Sequence, residues 1–149
     1  MIIANWKINK LPGIDSISKR DGTVVVLNCY RNEEGKAFCF PFCETTIESL
    51  LKFDEEIWTE IQVYHMVECH SLRRRVYGGE GGMGNEGFLA CTDLENEFLW
   101  AGFFENSNPF IQVEILGDKI IGYSSYGFKY ILDLVHPENI EIVPFQHFK

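Results

Sequence analysis

Residues 79–84 (GEGGMG) have the G-x-G-x-x-G spacing with which some loops bind the phosphates of dinucleotides. That chemistry needs a helix directly after the loop, inside a parallel β-α-β unit, so that the helix N-terminus meets the pyrophosphate. Here the following residues are typical of a strand, and Glu80 and Glu86 would repel phosphate. The glycines therefore predict a flexible loop from Gly78 to Gly87 rather than a nucleotide site.

Cysteine and histidine residues provide the side chains that bind zinc, but their spacing does not fit a zinc site. Cys39 and Cys43 are four positions apart, whereas structural sites use tighter pairs such as C-x2-C. The phenylalanines around them favour a place in the core. On a strand, His65 and Cys69 would share a face but lie roughly 13 Å apart, too far for one ion. We therefore expect no metal and no cofactor.

The possible nucleophiles and acids do not form a recognisable catalytic set. Cys69 and His70 would point to opposite faces of a strand, and no Gly-x-Ser-x-Gly elbow is present. The acid pair Asp93 and Glu95 fits a solvated turn better than glycoside hydrolysis. We predict that the protein is not an enzyme and has no catalytic residues. A small enzyme that uses His65 or Cys69 remains an alternative.

The strongest feature of the sequence is its uneven acidity. The chain has 22 acidic residues, 13 Lys plus Arg and a net charge of −9, and residues 76–118 contain eight acids without a single Lys or Arg. A field of one sign attracts partners of the opposite sign and repels nucleic acid and anionic membranes. The run Arg73-Arg74-Arg75 is the exception, and we expect it to pair internally or to orient a partner.

Strands are the main elements that would position these residues. Turn signals recur every 8–12 residues, including the hairpin loop Gly117-Asp118, and residues 9–22 are predicted to be a loop. Residues 57–77 are ambiguous between strand and helix, but their alternation favours one long strand. The predicted strands cover residues 2–8, 23–30, 36–42, 60–76, 88–92, 98–105, 110–116, 119–124, 128–134 and 140–143.

One helix is predicted after Thr45, which would form a capping box with Glu48. It ends near Phe53 or continues through residues 54–56. Because 149 residues are close to the usual size of one domain, we predict a single globular domain over residues 1–149. Its class is α+β, a mostly antiparallel β-sheet with a meander in the C-terminal half and one or two helices packed on it.

The cysteines and the N-terminal residues bear on the compartment of the protein. The five cysteines are odd in number, and the first residues lack the basic and apolar regions of a signal peptide. No apolar run approaches the roughly 18 residues of a membrane span. We therefore expect a cytoplasmic protein with reduced thiols that are mostly buried as small hydrophobic side chains.

In overall character, the chain resembles the immunity proteins of bacterial contact-dependent inhibition and related polymorphic toxin systems. The resemblance lies in residues 100–110 (WAGFFENSNPF), in the Gly117-Asp118 hairpin and in residues 136–140 (HPENI). It implies a small, acidic, cytoplasmic protein that binds one cognate toxin, commonly a basic nuclease. Such a protein would mask the phosphate-binding cleft of the toxin with its own carboxylates.

We therefore predict an immunity protein whose contacts come from two acidic segments and one tryptophan. The predicted partner-binding residues are Asp54, Glu55, Glu56, Glu60, Asp93, Glu95, Glu97 and Trp58. A few desolvated aromatic anchors would supply the affinity, although strand alternation places about half of the candidates in the core. These candidate anchors are Trp58, Trp100, Phe103, Phe104 and Phe110.

The main alternative is a β-sheet domain that binds a small molecule or a nucleic acid. In that interpretation the Gly78–Gly87 loop would close over the ligand, and Arg73–Arg75 would contact its anionic group.

Overall fold

The computed structural model describes residues 1–145, which form two antiparallel sheets packed face to face under a layer of short elements. The larger sheet has the strand order β4-β3-β2-β9-β8-β7-β6, the smaller sheet has the order β10-β11-β12-β13, and β1 pairs with β5. The helices are α1 (Ile2–Lys7) and α2 (Ile47–Phe53). The strands are β1 (Lys10–Pro12), β2 (Ser16–Lys19), β3 (Thr23–Arg31), β4 (Ala37–Thr46), β5 (Trp58–Glu60), β6 (Gln62–Cys69), β7 (Arg74–Glu80), β8 (Gly87–Asp93), β9 (Phe98–Phe104), β10 (Phe110–Leu116), β11 (Lys119–Ser124), β12 (Phe128–Asp133) and β13 (Ile140–Pro144).

The predicted fold class is confirmed in its main features. The strands pair antiparallel throughout the described sheets, and two short helices accompany them. The four consecutive strands of the smaller sheet match the predicted meander in the C-terminal half. Among residues 1–145, no helix is long and apolar enough to span a bilayer.

Two hydrophobic cores lie on opposite faces of the larger sheet. Along β8, Leu89 and Cys91 belong to the core shared with the smaller sheet, whereas Phe88 and Ala90 belong to the core beneath the helices and the β1–β5 pair. All four side chains are fully buried. The middle of the larger sheet is therefore covered on both faces, and its strands have continuous apolar runs instead of a clean alternation.

The first 22 residues fold differently from their prediction. Residues 2–8 were expected to form a strand, but Ile2, Ile3 and Trp6 instead lie on helix α1 and pack against the larger sheet. Residues 9–22 were expected to be a loop, but they contain β1 and β2. Ser16 and Ser18 of β2 are 1% exposed. Because serine is a typical loop residue, the sequence gave no indication that these two serines would be buried inside a central strand.

Residues 60–76 do not form the single long strand that we predicted. They form most of a hairpin, in which β6 ends at Cys69 and β7 begins at Arg74. Arg73 turns the chain with a φ of 55°, a conformation that glycine or asparagine usually provides. The preference for strand over helix is confirmed, but the turn at residues 70–73 contains no Gly, Pro, Asn or Asp, so its sequence gave only the weak turn signal of Ser71.

The predicted glycine loop from Gly78 to Gly87 is shorter than expected. β7 continues to Glu80, so only residues 81–86 connect β7 to β8. A Cβ atom on Gly79 would lie 1.9 Å from the carbonyl oxygen of Gln62 in β6. The glycine at position 79 therefore allows two strands to approach each other and does not serve loop flexibility.

The β3–β4 hairpin and α2 follow the prediction with shifted ends. Thr46, not Thr45, is the N-cap of α2, and its Oγ1 accepts a hydrogen bond from the Ser49 N–H at 3.1 Å. β4 continues beyond Pro41 because it is an edge strand, where the missing N–H of a proline is tolerated. A bulge opposite Val26 and Leu27 takes up one extra residue, Phe42.

One disulfide corrects the expectation that all thiols are reduced. Cys29 of β3 and Cys39 of β4 are paired in register and joined through their sulfur atoms. Cys43, Cys69 and Cys91 are free, and only Cys91 is buried. The two cysteines are ten residues apart in the sequence, and the β3–β4 hairpin brings them close enough to form the bridge. The number of cysteines did not indicate this pairing.

Candidate functional site

Four of the five aromatic residues predicted as anchors belong to the cores. Trp100, Phe103, Phe104 and Phe110 are at most 4% exposed. The Trp100 Nε1–H also donates a hydrogen bond to the carbonyl oxygen of Leu134 at 3.0 Å. Trp58 is the exception, because it is half-buried in β5. A partner therefore reaches Trp58 without opening the fold but does not reach the other four side chains.

The two predicted acidic segments lie at opposite ends of β8. Glu60 belongs to β5, and its carbonyl oxygen would lie 3.9 Å from a Cβ atom on Gly82, in the loop that precedes β8. Asp93, Glu95 and Glu97 occupy the turn that follows β8. The structure therefore does not bring the two segments together into one continuous surface.

The acidic residues of the turn after β8 already have partners in the chain. Asp93 Oδ1 accepts hydrogen bonds from the backbone N–H groups of Glu95 and Glu97, both at 2.9 Å. Glu95 forms an ion pair with Arg73, and Glu97 forms one with Arg20 at 3.5 Å. These contacts give the turn a structural role and reduce the negative charge that it offers to a partner.

The basic run pairs internally, as the sequence led us to expect. Arg73 pairs with Glu95, and the Arg75 Nε–H donates to Glu68 Oε1 at 2.6 Å. The Arg74 guanidinium donates to the backbone carbonyls of Leu72 and Arg73. The run lies at the start of β7 and the glycine loop lies at its end, a separation of roughly 20 Å along the strand. The alternative ligand site would therefore need a ligand that spans this length.

The acidic residues from the end of α2 to the end of β5 carry negative charges that are not paired within the described chain. Asp54, Glu55, Glu56 and Glu60 are exposed. Within residues 1–145, none of the four forms an ion pair. Asp54 Oδ1 accepts the backbone N–H of Glu56 at 2.9 Å, which orders the segment directly after α2. This segment is therefore the better of the two predicted acidic surfaces for a cationic partner.

An exposed aromatic surface, which we call the hairpin surface, lies on the β3–β4 hairpin and consists of Tyr30, Phe38, Phe40 and Phe42. The ring centroids of Tyr30, Phe38 and Phe40 lie 5.3–6.1 Å from one another. Tyr30 is 46%, Phe40 47% and Phe42 71% exposed. Large apolar side chains grouped in this way mark interaction surfaces more often than isolated ones do.

The sequence did not indicate the hairpin surface, because the phenylalanines around Cys39 favoured a place in the core. Their spacing carried the relevant signal, because Phe38, Phe40 and Phe42 alternate with smaller side chains, as in a strand with two different faces. Pro41 and the bulge at Phe42 disturb the outer edge of β4, and such features protect an edge from added strands. Recognition here would therefore use the aromatic side chains rather than backbone pairing.

A cavity of about 380 Å³ lies near the same hairpin. Its titratable lining groups include Asp15 before β2, Arg31 at the end of β3 and Tyr130 in β12, and Asn106 and Ser107 between β9 and β10 add further polar groups. The remaining wall includes the apolar side chains of Phe104 and Ile142. None of these polar residues was singled out from the sequence, because each is an isolated residue that the topology alone brings to the others.

Asp15 is the most perturbed titratable group in this cavity. Its backbone N–H donates to Glu105 Oε2 at 3.1 Å, and the Glu105 N–H donates to Asp15 Oδ1 at 2.7 Å. Burial, followed by the negative charge of Glu105, raises the Asp15 pKa to about 6. Burial raises the pKa of Tyr130 to about 12, and the charge of Asp15 adds to this effect.

The raised pKa of Asp15 gives the stability of the fold a pH dependence of definite sign. Between its ordinary value of 3.8 and about 6, the folded state binds more protons than the unfolded state, so the free energy of unfolding falls as pH rises. We expect Asp15→Asn to be more stable than the wild type by about 1 kcal/mol at pH 7, after allowance for solvent screening. Urea denaturation should show that this advantage disappears at pH 4. An equal difference at both pH values would contradict the assignment.

His65 and Cys69, the two residues named for an alternative enzyme, each have a partner within the chain. His65 Nδ1 accepts a hydrogen bond from the Val113 N–H at 2.9 Å, and this contact ties β6 to the smaller sheet. The Cys69 sulfur lies 3.3 Å from the Ser71 hydroxyl oxygen, and this hydrogen bond lowers the Cys69 pKa. Four strand positions separate the two residues. Among residues 1–145, no group of three or more His, Cys, Asp or Glu side chains is arranged to hold a metal ion.

Comparison of the chain with protein-family models, with curated proteins and with solved structures finds no match.

Proposed function

We propose that this protein is an immunity protein, a domain without catalytic activity that binds one basic toxin and neutralises it by covering its active site. The observation that supports a binding role most strongly is the hairpin surface. It combines exposed aromatic side chains with a position on an ordered, disulfide-linked hairpin. The acidity of the chain and its resemblance to immunity proteins support the choice of a basic toxin as the partner.

The hairpin surface has the side chains that usually dominate binding energy. Aromatic residues are enriched among interface hot spots, where a few large side chains contribute most of the free energy of binding. The contacts among the rings of Tyr30, Phe38 and Phe40 hold these side chains in place before a partner arrives. Ordering in the free state lowers the entropy cost of association.

The acidic segment between α2 and β5 would supply attraction over a longer range. Its four carboxylates have no cationic partner within residues 1–145. In a protein with a net charge of −9, such groups accelerate the approach of a basic partner and help to orient it. They would also occupy the positions of substrate phosphates in the cleft of a nuclease toxin.

The bacterial cytoplasm is the proposed compartment, because immunity to an intracellular toxin has to act there. Structural disulfides are rare in a reducing cytosol, so the Cys29–Cys39 bridge makes this part of the proposal separately testable. Thiols in intact cells can be blocked with an alkylating reagent and located by mass spectrometry. Alkylated Cys29 and Cys39 would agree with the cytoplasm, whereas a fully oxidised pair would favour an oxidising compartment.

The decisive test begins with the partner. Tagged protein would be recovered from its native host at low and at high salt, and the proteins bound to it would be identified by mass spectrometry. We expect one stoichiometric basic protein, encoded by a neighbouring gene and captured less well at high salt. That protein should arrest growth when it is expressed alone, and co-expression of this chain should restore growth. A stoichiometric but harmless partner would contradict immunity, and the absence of any partner would contradict the binding role as well.

Charge reversal separates local attraction from the effect of total charge. We expect Glu55→Lys combined with Glu56→Lys to slow association with the toxin roughly tenfold at low salt and to change dissociation much less. The matched control is Glu95→Lys combined with Glu97→Lys, which alters the net charge equally at carboxylates that already pair with arginines. Stopped-flow association at two salt concentrations measures both variants. Equal slowing would show that the segment after α2 does not face the partner.

A further inference from the structure

The cavity near the β3–β4 hairpin has the properties of a site for a small molecule. Its volume of about 380 Å³ falls in the range of ligand pockets, which are mostly apolar with a few convergent polar groups. Phe104, Ala37 and Ile142 provide apolar wall, and Asp15, Arg31 and Tyr130 provide charge and a hydroxyl group. Tyr30 and Phe38 of the hairpin surface also line the cavity, so the two sites adjoin each other. Asp15, Arg31 and Tyr130 lie outside that surface, and their chemistry is independent of the proposed immunity role.

The acidic side of the cavity lacks a counter-ion. Asp15 and Glu105 each use one carboxylate oxygen to accept the backbone N–H of the other residue. Within residues 1–145, neither carboxylate pairs with a lysine, an arginine or a histidine. Two carboxylates in contact at a partly buried position repel each other, and a cationic group placed beside them would relieve this repulsion.

The basic side of the cavity is equally without a counter-ion. In the described part of the chain, the Arg31 guanidinium forms no ion pair with a carboxylate. Its central carbon lies 4.6 Å from the ring centroid of Phe128 and 5.3 Å from that of Tyr126. These rings hold the cationic group by its flat face, so its N–H donors remain available to a planar anion such as a carboxylate.

Tyr130 provides the third polar group of the cavity. Its side chain lines the cavity and is only 8% exposed. Its ring packs against Phe104 and Phe110 at 5.1 and 5.0 Å. Asp15 and Arg31 both lie close enough to influence its titration, so the hydroxyl group stands near both charges.

We infer that this cavity binds a small zwitterion of the amino-acid type, with its ammonium group at Asp15, whose carboxylate lies beside that of Glu105, and its carboxylate at Arg31. The Tyr130 hydroxyl group would form a hydrogen bond to the bound molecule near its charged groups. The side chain of the ligand would lie against Phe104 and Ile142. A molecule with only one of the two charges would leave the opposite side of the cavity unpaired.

The probes that test this inference are free amino acids and derivatives that lack one charge. Alanine, leucine, phenylalanine and glutamine would each be added to ¹⁵N-labelled protein beside the corresponding amine without a carboxylate and the N-acetyl derivative. We expect at least one amino acid to shift amide resonances around residues 15, 31 and 130 at millimolar concentration or below. Both derivatives should bind at least about tenfold more weakly, because a charge-assisted hydrogen bond is lost.

Variants of the cavity residues should show which end of the ligand each residue binds. Asp15→Asn should weaken the binding of the amino acid and of the amine, whereas Arg31→Gln should weaken the binding of the amino acid and leave that of the amine unchanged. Tyr130→Phe removes only the hydroxyl group and should keep the fold. Asp118→Asn and Arg20→Gln remove the same charges from exposed positions elsewhere and should bind like the wild type.

The pH dependence provides a check that needs no variant. Glu105 and Tyr130 are the titratable groups that interact with Asp15, Arg31 acts on Tyr130, and Asp15 becomes protonated below a pKa of about 6. Binding should therefore be weaker at pH 5 than at pH 7. The inference would be overturned if no amino acid shifted these resonances at millimolar concentration. It would equally be overturned if amines bound as tightly as amino acids.

Discussion

Gly79→Ala is expected to lower the free energy of unfolding by about 3 kcal/mol, whereas Gly84→Ala should leave it almost unchanged. A Cβ atom at position 79 would lie 1.9 Å from the carbonyl oxygen of Gln62 and 2.9 Å from a ring carbon of Phe88. Backbone on one side and a buried ring on the other leave no room for adjustment, so β6 and β7 would have to separate.

Gly84 is the matched control because it lies in the loop that follows β7 and a Cβ atom there would meet nothing within 4 Å. Chemical denaturation of the two variants measures the difference in the free energy of unfolding. If Gly79→Ala were as stable as the wild type, the close approach of β6 and β7 would not exist, and the original interpretation of residues 78–87 as a flexible loop would regain support.

Phe40→Ser combined with Phe42→Ser is expected to weaken toxin binding by roughly 100-fold or more, since each change removes an exposed anchor of the hot-spot type. The two side chains are 47% and 71% exposed, so their loss should change the stability of the free protein little. Isothermal titration with the purified toxin gives the dissociation constants, and thermal unfolding confirms that the variant is folded.

The control for this experiment is Ile111→Ser, because Ile111 is a similarly exposed apolar residue, at 45%, in the smaller sheet. It should bind the toxin with unchanged affinity. Equal affinity of the double phenylalanine variant and the wild type would show that the hairpin surface is not the contact, although the protein could still bind through its acidic segment. The experiment therefore tests the proposed contact surface separately from the proposed function of toxin binding.

The C-terminal half of the fold could be predicted because its strands are local and their turns use ordinary turn chemistry. The hairpin at Gly117-Asp118 lies where its sequence placed it, with β10 ending at Leu116 and β11 beginning at Lys119. The outer strands of this meander pair with their neighbours in the chain, so short-range signals were sufficient. The register of the smaller sheet follows from such hairpins.

The N-terminal half resisted prediction because distant residues decide its structure. Trp6 could belong to a strand by its local sequence, but its ring packs 5.5 Å from those of Tyr77 and Phe98, and this contact favours a helix in the outer layer. β2 has only Ile17 as an apolar residue and is a strand because β3 and β9 pair with it on both sides. Such tertiary contacts override local propensity.

The candidate surfaces could be predicted only where exposure depends on the local sequence and not on tertiary contacts. Exposure of residues 54–60 follows from their local polarity, and the structure agrees with it for the acidic residues. Composition could not separate the exposed phenylalanines of the β3–β4 hairpin from the buried ones of β9, because that difference depends on which faces the outer layer covers. The cavity depends on Asp15, Arg31 and Tyr130, which are far apart in the chain, so no local pattern contains it.

The position of β2 in the larger sheet constrains how the chain acquires its structure during synthesis. β2 pairs with β9 from Ser16↔Phe103 to Lys19↔Trp100, so even the nearest partners are 81 positions apart. A ribosome must therefore produce and release most of the chain before the middle of this sheet can close, and pairing at such sequence separation slows folding. The β3–β4 hairpin needs only local contacts, so the hairpin and its exposed phenylalanines can form before the rest of the larger sheet does. In a nascent chain they form an exposed hydrophobic surface that chaperones would have to shield.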